Sequence, residues 1–267
     1  PDIVKSHRVD RVVVSFEDAR GKLPMNALLD MKLSGVRFDH VASVYEEYTG
    51  KIAIENLRPS WLIYSDGFTK VSASGGAARL VDLVLGGLLL VLTLPLMALA
   101  AASIKLTSAG PVLYRQQRVG LNGRVFTIHK FRSMRADAEA GTGAVWATPG
   151  RDPRVTRAGG LLRRSRIDEL PQIWNVLAGD MSLVGPRPER PEFVTSLIQQ
   201  IPFYGQRHVV RPGLTGWAQV RYAYGASVED AMEKLQYDLF YVKNRSVALN
   251  LYIIFETLKT VLTRSGS

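Results

Sequence analysis

The sequence predicts an α/β segment followed by a mainly helical α+β domain that associates with a membrane. Three observations carry this reading. A β-α-β alternation runs between Arg11 and Ile54, residues 83–102 carry no charge, and amphipathic helical patterns recur toward the C-terminus. With 267 residues, 46% of them hydrophobic, the chain can bury a core as one large domain or two small ones.

Arg11-Val12-Val13-Val14-Ser15-Phe16 reads as a buried strand, residues 26–33 as a short helix stopped near Gly35, and residues 36–44 and 52–54 as further strands. Residues 1–64 therefore read as part of an α/β domain with a parallel sheet. They show no glycine-rich phosphate fingerprint, so nucleotide binding finds no support there. A chain that opens at Pro1 and runs straight into a strand reads as a piece of a longer protein. Residues 65–78, with Ser72-Ala73-Ser74-Gly75-Gly76-Ala77-Ala78, have the small, polar composition of a linker.

The apolar run 83–102, bounded by Arg79, Asp82 and Lys105, is long enough to cross a hydrocarbon core of about 30 Å as a helix. It is internal, so it does not read as a cleaved signal. Pro95 near its middle removes a backbone hydrogen bond and predicts a kink. A straight span, a kinked helix that re-enters one face, and a buried soluble helix all compete. Hydropathy makes the span the default. The basic segment 105–135 leans against it, because no second apolar stretch brings the chain back.

Val112-Leu113-Tyr114, a turn at Gly120-Leu121-Asn122-Gly123, and Val125-Phe126-Thr127-Ile128 predict a hairpin whose glycines supply positive φ. It leads into His129-Lys130-Phe131-Arg132-Ser133-Met134-Arg135. Residues 137–160 read as a mobile surface loop. Helices are expected over 170–177, stopped near Gly179, and over 192–200, 228–242 and 247–262. The last has a broad apolar face, suited equally to a membrane interface and to the domain core. No internal repeat is present.

There is no cysteine, which excludes disulfides and thiolate metal sites and points to hard, oxygen-ligated cations. The net charge of +10 is uneven: residues 1–79 hold 11 Lys/Arg against 10 Asp/Glu, and residues 80–267 hold 23 against 14. That basic field attracts anions. Asp168-Glu169 sits within it, just after Arg163, Arg164 and Arg166. As a local motif, Asp168 caps a helix with Glu169 first and Pro171 third, and needs no catalysis. In the functional reading, the free N–H groups and positive end of that helix keep Asp168 ionised. One carboxylate attacks phosphorus while the other holds a divalent cation, for which Mg²⁺ is suited.

Arg163, Arg164, Arg166 and Arg187 could fork onto phosphate oxygens, although any one alone reads as solvated surface charge. Lys130 and Arg132 alternate at strand spacing and would share a face opposite Phe131. Arg211-Pro212-Gly213-Leu214-Thr215-Gly216-Trp217-Ala218-Gln219 has the turn chemistry of a binding loop, or of a tight turn with a buried tryptophan. The four histidines show no metal spacing, and His208 is not read as a base.

Taken in order, five runs resemble the bacterial polyprenyl-phosphate hexose-1-phosphate transferases, the monotopic phosphoglycosyl transferases. They are Lys130-Phe131-Arg132-Ser133-Met134, Asp168-Glu169-Leu170-Pro171-Gln172, Gly185-Pro186-Arg187-Pro188, the Arg211–Gln219 run, and Tyr237-Asp238 with Tyr241-Val242-Lys243-Asn244. The resemblance covers roughly residues 78–264. Residues 1–64 look like the end of the nucleotide-fold-like domain of longer, exopolysaccharide-type members.

The resemblance implies transfer of a sugar-1-phosphate from a UDP-sugar to undecaprenyl phosphate, with UMP released. Asp168 matches a nucleophile that forms a covalent phosphosugar intermediate, and Glu169 its partner at Mg²⁺. Lys130, Arg163 and Arg187 match residues that handle substrate phosphates, and Arg132 and Arg211 are grouped with them. The segment 79–106 around Pro95 matches a re-entrant helix-break-helix, replacing the span as the expectation, with 107–267 as catalytic domain. It also implies the bacterial inner membrane and its lipids, with the active site on the cytoplasmic face. Nucleic acid is not expected as a partner. The sugar is not fixed, with residues 137–160 and Tyr222-Ala223-Tyr224-Gly225 as specificity elements. A homo-oligomer is left open, residues 1–77 serving regulation or a dimer contact. The contrasting reading is a non-catalytic membrane-tethered basic module that binds acidic polymers. Against it, the arginines cluster beside carboxylates with few aromatics between them.

Overall fold

The computed structural model describes residues 4, 6–14, 24–54, 72–135, 137–138, 152–222, 225 and 227–263. The chain forms two compact units, Pro1–Asn56 and Leu57–Ser267. In the first, strand β1 (Arg11–Val14) pairs in parallel with β2 (Arg37–His40), and helix α1 (Met25–Leu33) lies between them in sequence. β1 is half-buried rather than buried, with Val13 46% exposed. The strand expected over 36–44 stops at His40, whose side chain accepts from the Ala42 N–H and starts helix α2 (Val41–Thr49). Residues 52–54 form no strand, although Ile52 and Ile54 are buried.

The second unit opens on helix α3 (Ser72–Thr107), so the expected linker is helical from Ser72 onward, and residues 65–71 lie outside the described residues. At 36 residues α3 is about 54 Å long, and by length and composition its Gly76–Thr107 portion is apolar enough to cross a membrane. The helical assignment runs unbroken through Pro95. Thr93 bonds back to the Leu89 carbonyl at 2.7 Å, the kind of contact that bends helices.

Both ends of α3 are tied to the same unit. Near its start, Arg79 donates to the Val176 and Leu177 carbonyls at 2.6 and 2.8 Å, and Asp82 accepts from the Ser182 hydroxyl and the Leu183 N–H. Near its end, Ala100 and Ile104 are buried with Phe131 and Leu162. Between these anchors Leu88, Val91, Leu92, Leu94, Leu96 and Leu99 are exposed.

After α3, strands β3 (Leu113–Val119) and β4 (Val125–Phe131) form the expected antiparallel hairpin. Its turn takes positive φ at Asn122 and Gly123, while Gly120 is extended. Helix α4 (Arg157–Arg164) emerges where a loop was expected; residues 139–151 lie outside the described residues. Gly159 lets α4 close on the strand extension, since a Cβ there would collide with the Ser133 carbonyl.

A 3₁₀ turn (Ile167–Gln172) then leads into α5 (Ile173–Ala178), stopped by left-handed Gly179. Three-residue strands β5 (Ser182–Val184) and β6 (Gly213–Thr215) pair in parallel. Their backbones approach so closely that neither Gly185 nor Gly213 has room for a Cβ. Helices α6 (Pro191–Gln200), α7 (Trp217–Arg221), α8 (Val228–Asn244) and α9 (Val247–Thr263) complete the unit. Its main core joins Ile128, Met181, Trp217, Tyr241 and Ile253. α9 packs on the core through Asn250 and Ile253, while Leu251, Tyr252, Phe255, Leu258 and Val261 are exposed.

Candidate active site

Asn175 aligns the two elements that carry the site. Its amide donates to the Thr127 carbonyl at 2.8 Å and accepts from the His129 N–H at 3.2 Å, docking α5 on the edge of β4. That places Lys130 of β4 over the 3₁₀ turn carrying Asp168 and Glu169. The expected cap is not formed. Arg166, in the left-handed region at φ 54°, occupies the position before the turn, and Asp168 is its second residue. A non-glycine residue in that region is strained, and such strain concentrates at functional sites.

Glu169 is the electrostatic hub. Its Oε1 accepts from Arg187 at 2.6 Å and from Lys130 at 3.1 Å, and Arg166 stands 3.9 Å from Oε2. Burial alone would raise its carboxyl, but Arg187 and then Lys130 overcome this and hold it well below the usual carboxylate range. Asp168 is shifted the other way. Burial first, and the neighbouring Glu169 charge second, raise it to about 6 against opposition from Lys130, Arg163 and Arg187. Asp168 is thus shifted upward rather than downward, though a value of about 6 still leaves it mostly ionised at neutral pH, the charge state expected of it. Burial also pushes the Lys130 ammonium below its ordinary value, opposed by Glu169.

The structure brings Lys130, Arg163 and Arg187 to the carboxylate pair and engages Arg132 and Arg211 elsewhere. Arg132 donates to the Ser108 carbonyl and hydroxyl at 2.9 and 2.7 Å. Arg211 donates from Nε to the Gly179 carbonyl at 3.0 Å, at the C-terminal end of α5 that Arg79 also caps. Gly213 to Thr215 forms a strand and Trp217 is buried, as a packed turn requires. Of the proposed specificity elements, Tyr222 donates to Asp230, while Ala223 and Tyr224 lie outside the described residues.

Arg207 is the functional candidate that motif reading missed. Buried to 6% exposure, it pairs with Asp238 at 2.7 Å, donates to the Tyr204 hydroxyl at 2.7 Å, and donates to the Arg187 carbonyl at 2.9 Å. It fixes the backbone from which Arg187 reaches Glu169. A buried arginine that requires an acid more than thirty positions away leaves no local pattern. His208 beside it is pushed down to about 4 by burial and then by Arg207, so it is uncharged near neutrality.

Among the described residues no group of three or more His, Asp or Glu converges to hold a metal. The pair itself suits a magnesium-type site, which needs one or two carboxylates with substrate oxygens completing the shell. Asp168 has no ion pair among the described residues, and Glu169 Oε2 meets only the distant Arg166, so both retain oxygen donors. Together, the acidic pair and the surrounding cations form a charged centre in the unit that carries the long apolar helix.

Comparison with known proteins agrees. Residues 74–264 match the model of the bacterial sugar transferases, and the chain belongs to that family. It is 44% identical over 235 residues to the UDP-N-acetylgalactosamine-undecaprenyl-phosphate N-acetylgalactosaminephosphotransferase of Aeromonas hydrophila, covering 85% of this chain and 53% of that protein. Against the UDP-glucose:undecaprenyl-phosphate glucose-1-phosphate transferase of Xanthomonas campestris pv. campestris, identity is 43% over 218 residues, covering 81% and 44%. The relative of the same name from Caulobacter vibrioides is 46% identical over 191 residues, covering 71% of each chain. The chain thus spans about half the length of the first two relatives.

The Asp168 shift makes a pH prediction. With Asp168 as the attacking carboxylate, as proposed below, the rate of UMP release should rise with pH through about 6 and level off above it. Arg163 favours the ionised form, so Arg163→Ala should move this limb to higher pH. A limb below pH 5, or one that Arg163→Ala shifts downward, would contradict the assignment.

Proposed function

We propose that this chain transfers a sugar-1-phosphate from a UDP-sugar to undecaprenyl phosphate through a covalent intermediate on Asp168. The observation that carries the reading is the asymmetry of the acidic pair. Glu169 is locked as an anion between Arg187 and Lys130, while Asp168, raised to about 6, remains an available and mostly ionised nucleophile at neutral pH.

In the first step an Asp168 oxygen bonds to the phosphorus that bears the sugar, the bond from that phosphorus to the bridging oxygen breaks, and UMP leaves with that oxygen. In the second, a phosphate oxygen of undecaprenyl phosphate bonds to the same phosphorus and Asp168 departs as carboxylate. Both substrates are anions, and the two-step route spares them direct mutual approach. Lys130, Arg163 and Arg187 supply positive charge at the pair, where charge developing on phosphoryl oxygens is best stabilised. Asp168 and Glu169 would hold Mg²⁺, which when bound neutralises phosphate charge and orients the leaving group.

A basic binding module gives no reason for Lys130 and Arg187 to converge on Glu169, one member of an acidic pair. The relatives' names divide between glucose and N-acetylgalactosamine at 43% to 46% identity, so similarity ranks neither sugar.

The tethers of α3 support a re-entrant topology, although the helix itself is continuous through Pro95. Arg79 and Asp82 before the apolar run, and Ala100 and Ile104 at its end, all contact one unit. A full crossing would put these anchors on opposite faces and break one set. The re-entrant reading keeps both on the cytoplasmic face of the inner membrane, with Pro95 at the deepest point. Asp168 then stands at the depth of lipid phosphate.

Incubation with labelled UDP-sugars, undecaprenyl phosphate and Mg²⁺ should yield organic-soluble sugar and UMP. Asp168→Asn should lower turnover by roughly a thousandfold or more; full retention would exclude the covalent route. Because the chain has no cysteine, Leu80→Cys and Leu106→Cys report topology cleanly; both positions are exposed. Impermeant reagent should reach both from the same face, and labelling from opposite faces would overturn re-entry.

A further inference from the structure

A cavity of about 490 Å³ lies beside the carboxylate pair without including it. Three short pieces of chain enclose it: the end of α3, the residues following β4, and the entry to α4. The isolated bridge between Met134 and Val155 holds the latter two together. Arg132, Arg135 and Arg157 line the cavity with the hydroxyls of Thr107, Ser108 and Thr156, and among the described residues no carboxylate does. The nearest acid in sequence, Asp152, is spent on Arg154 through contacts of 2.8 to 3.2 Å.

Arg132 is the telling residue. It is 5% exposed, its Nη2 is satisfied by Ser108, and its Nη1 has no hydrogen-bond partner among the described residues. A buried guanidinium donor left unpaired is costly, and such groups in native structures usually await a ligand or ion. The chain makes room for it: Gly110, at φ +115°, adjoins Nη1 so closely that a Cβ would collide with it. The sequence expectation that Arg132 meets phosphate beside Lys130 is thereby relocated to a separate chamber.

We infer that this cavity binds a phosphate ester at a site distinct from Asp168-Glu169. Arginine forks match tetrahedral oxyanions, and the volume accommodates the attached group as well as the phosphate. Two sources share this chemistry. One is the headgroup of an anionic membrane lipid, since α3 ends at the cavity and Leu106, just before Thr107, is 86% exposed. The other is a soluble phosphate ester such as a nucleotide. The inference does not rest on the reaction proposed above.

The absence of native cysteine permits a local reporter: Ala109→Cys, on the cavity wall, labelled with an environment-sensitive fluorophore in the full chain in detergent. Inorganic pyrophosphate should give a saturable signal. Arg135→Ala/Arg157→Ala should weaken it by about tenfold or more, whereas Lys105→Ala, an exposed charge outside the lining, should leave it within about twofold. Arg135 and Arg157 are both exposed, so the double variant keeps its fold, which circular dichroism verifies.

Short-chain phosphatidylglycerol against phosphatidylcholine, and UMP against uridine, then separate the sources. A response to phosphatidylglycerol that the double variant abolishes supports a lipid site, and one to UMP supports a soluble ester. No saturable signal with any phosphate probe overturns the inference, as does a signal that Lys105→Ala lowers as much as the double variant. Asp168→Asn should leave pyrophosphate binding at the reporter unchanged, so this test stands even if the covalent reaction is disproved.

Discussion

The contact among Glu169, Arg187 and Lys130 governs the candidate site. Three segments far apart in sequence converge on one buried carboxylate, and each ion offsets the desolvation of the others. Removing one member would strand the remaining charges at a cost of about 3–5 kcal/mol, the usual penalty for breaking a buried pair. The convergence also sets the chemistry. With Glu169 permanently charged, Asp168 beside it is raised to about 6, high enough to make it a better nucleophile and low enough to leave it mostly ionised. Arg207 extends the arrangement outward, carrying the ion pair with Asp238 to the backbone of Arg187.

A second constraint is the double tether of α3. Its exposed apolar middle requires a nonpolar environment, and its two shoulders require the same protein surface. Arg79 connects these demands to the site, because the carbonyls it caps end the helix that follows Asp168-Glu169. Membrane attachment and active-site geometry therefore share one set of hydrogen bonds. The exposed face of α9 adds apolar surface to the same unit.

Much of this was legible wherever the signal is local. Helices α6, α8 and α9 lie within two residues of their expected bounds and the hairpin forms where expected with longer strands, because hydrophobic period, turn residues and caps all sit within one element. The resemblance brought Lys130, Arg163 and Arg187 to the pair, and they do converge. What was illegible depends on distant approach. β2 ends early because the His40 side chain turns back to cap α2. β5 and β6 exist because two glycines let separate segments touch. Arg166 takes up a strained conformation that no neighbour announces. The upward shift of Asp168 was not legible because its first cause is burial, which no local pattern shows. Arg132 and Arg211 donate to Ser108 and Gly179 rather than to the carboxylate pair, and sequence cannot say which way a guanidinium turns.

The most direct test of the central claim leaves out the lipid acceptor. Protein mixed with UDP-sugar and Mg²⁺ alone should release UMP in a burst of no more than one equivalent. Mass spectrometry should then find a phosphosugar on the peptide bearing Asp168, and subsequent undecaprenyl phosphate should discharge it. UMP release that begins only when both substrates are present, with Asp168 unmodified throughout, would contradict the account.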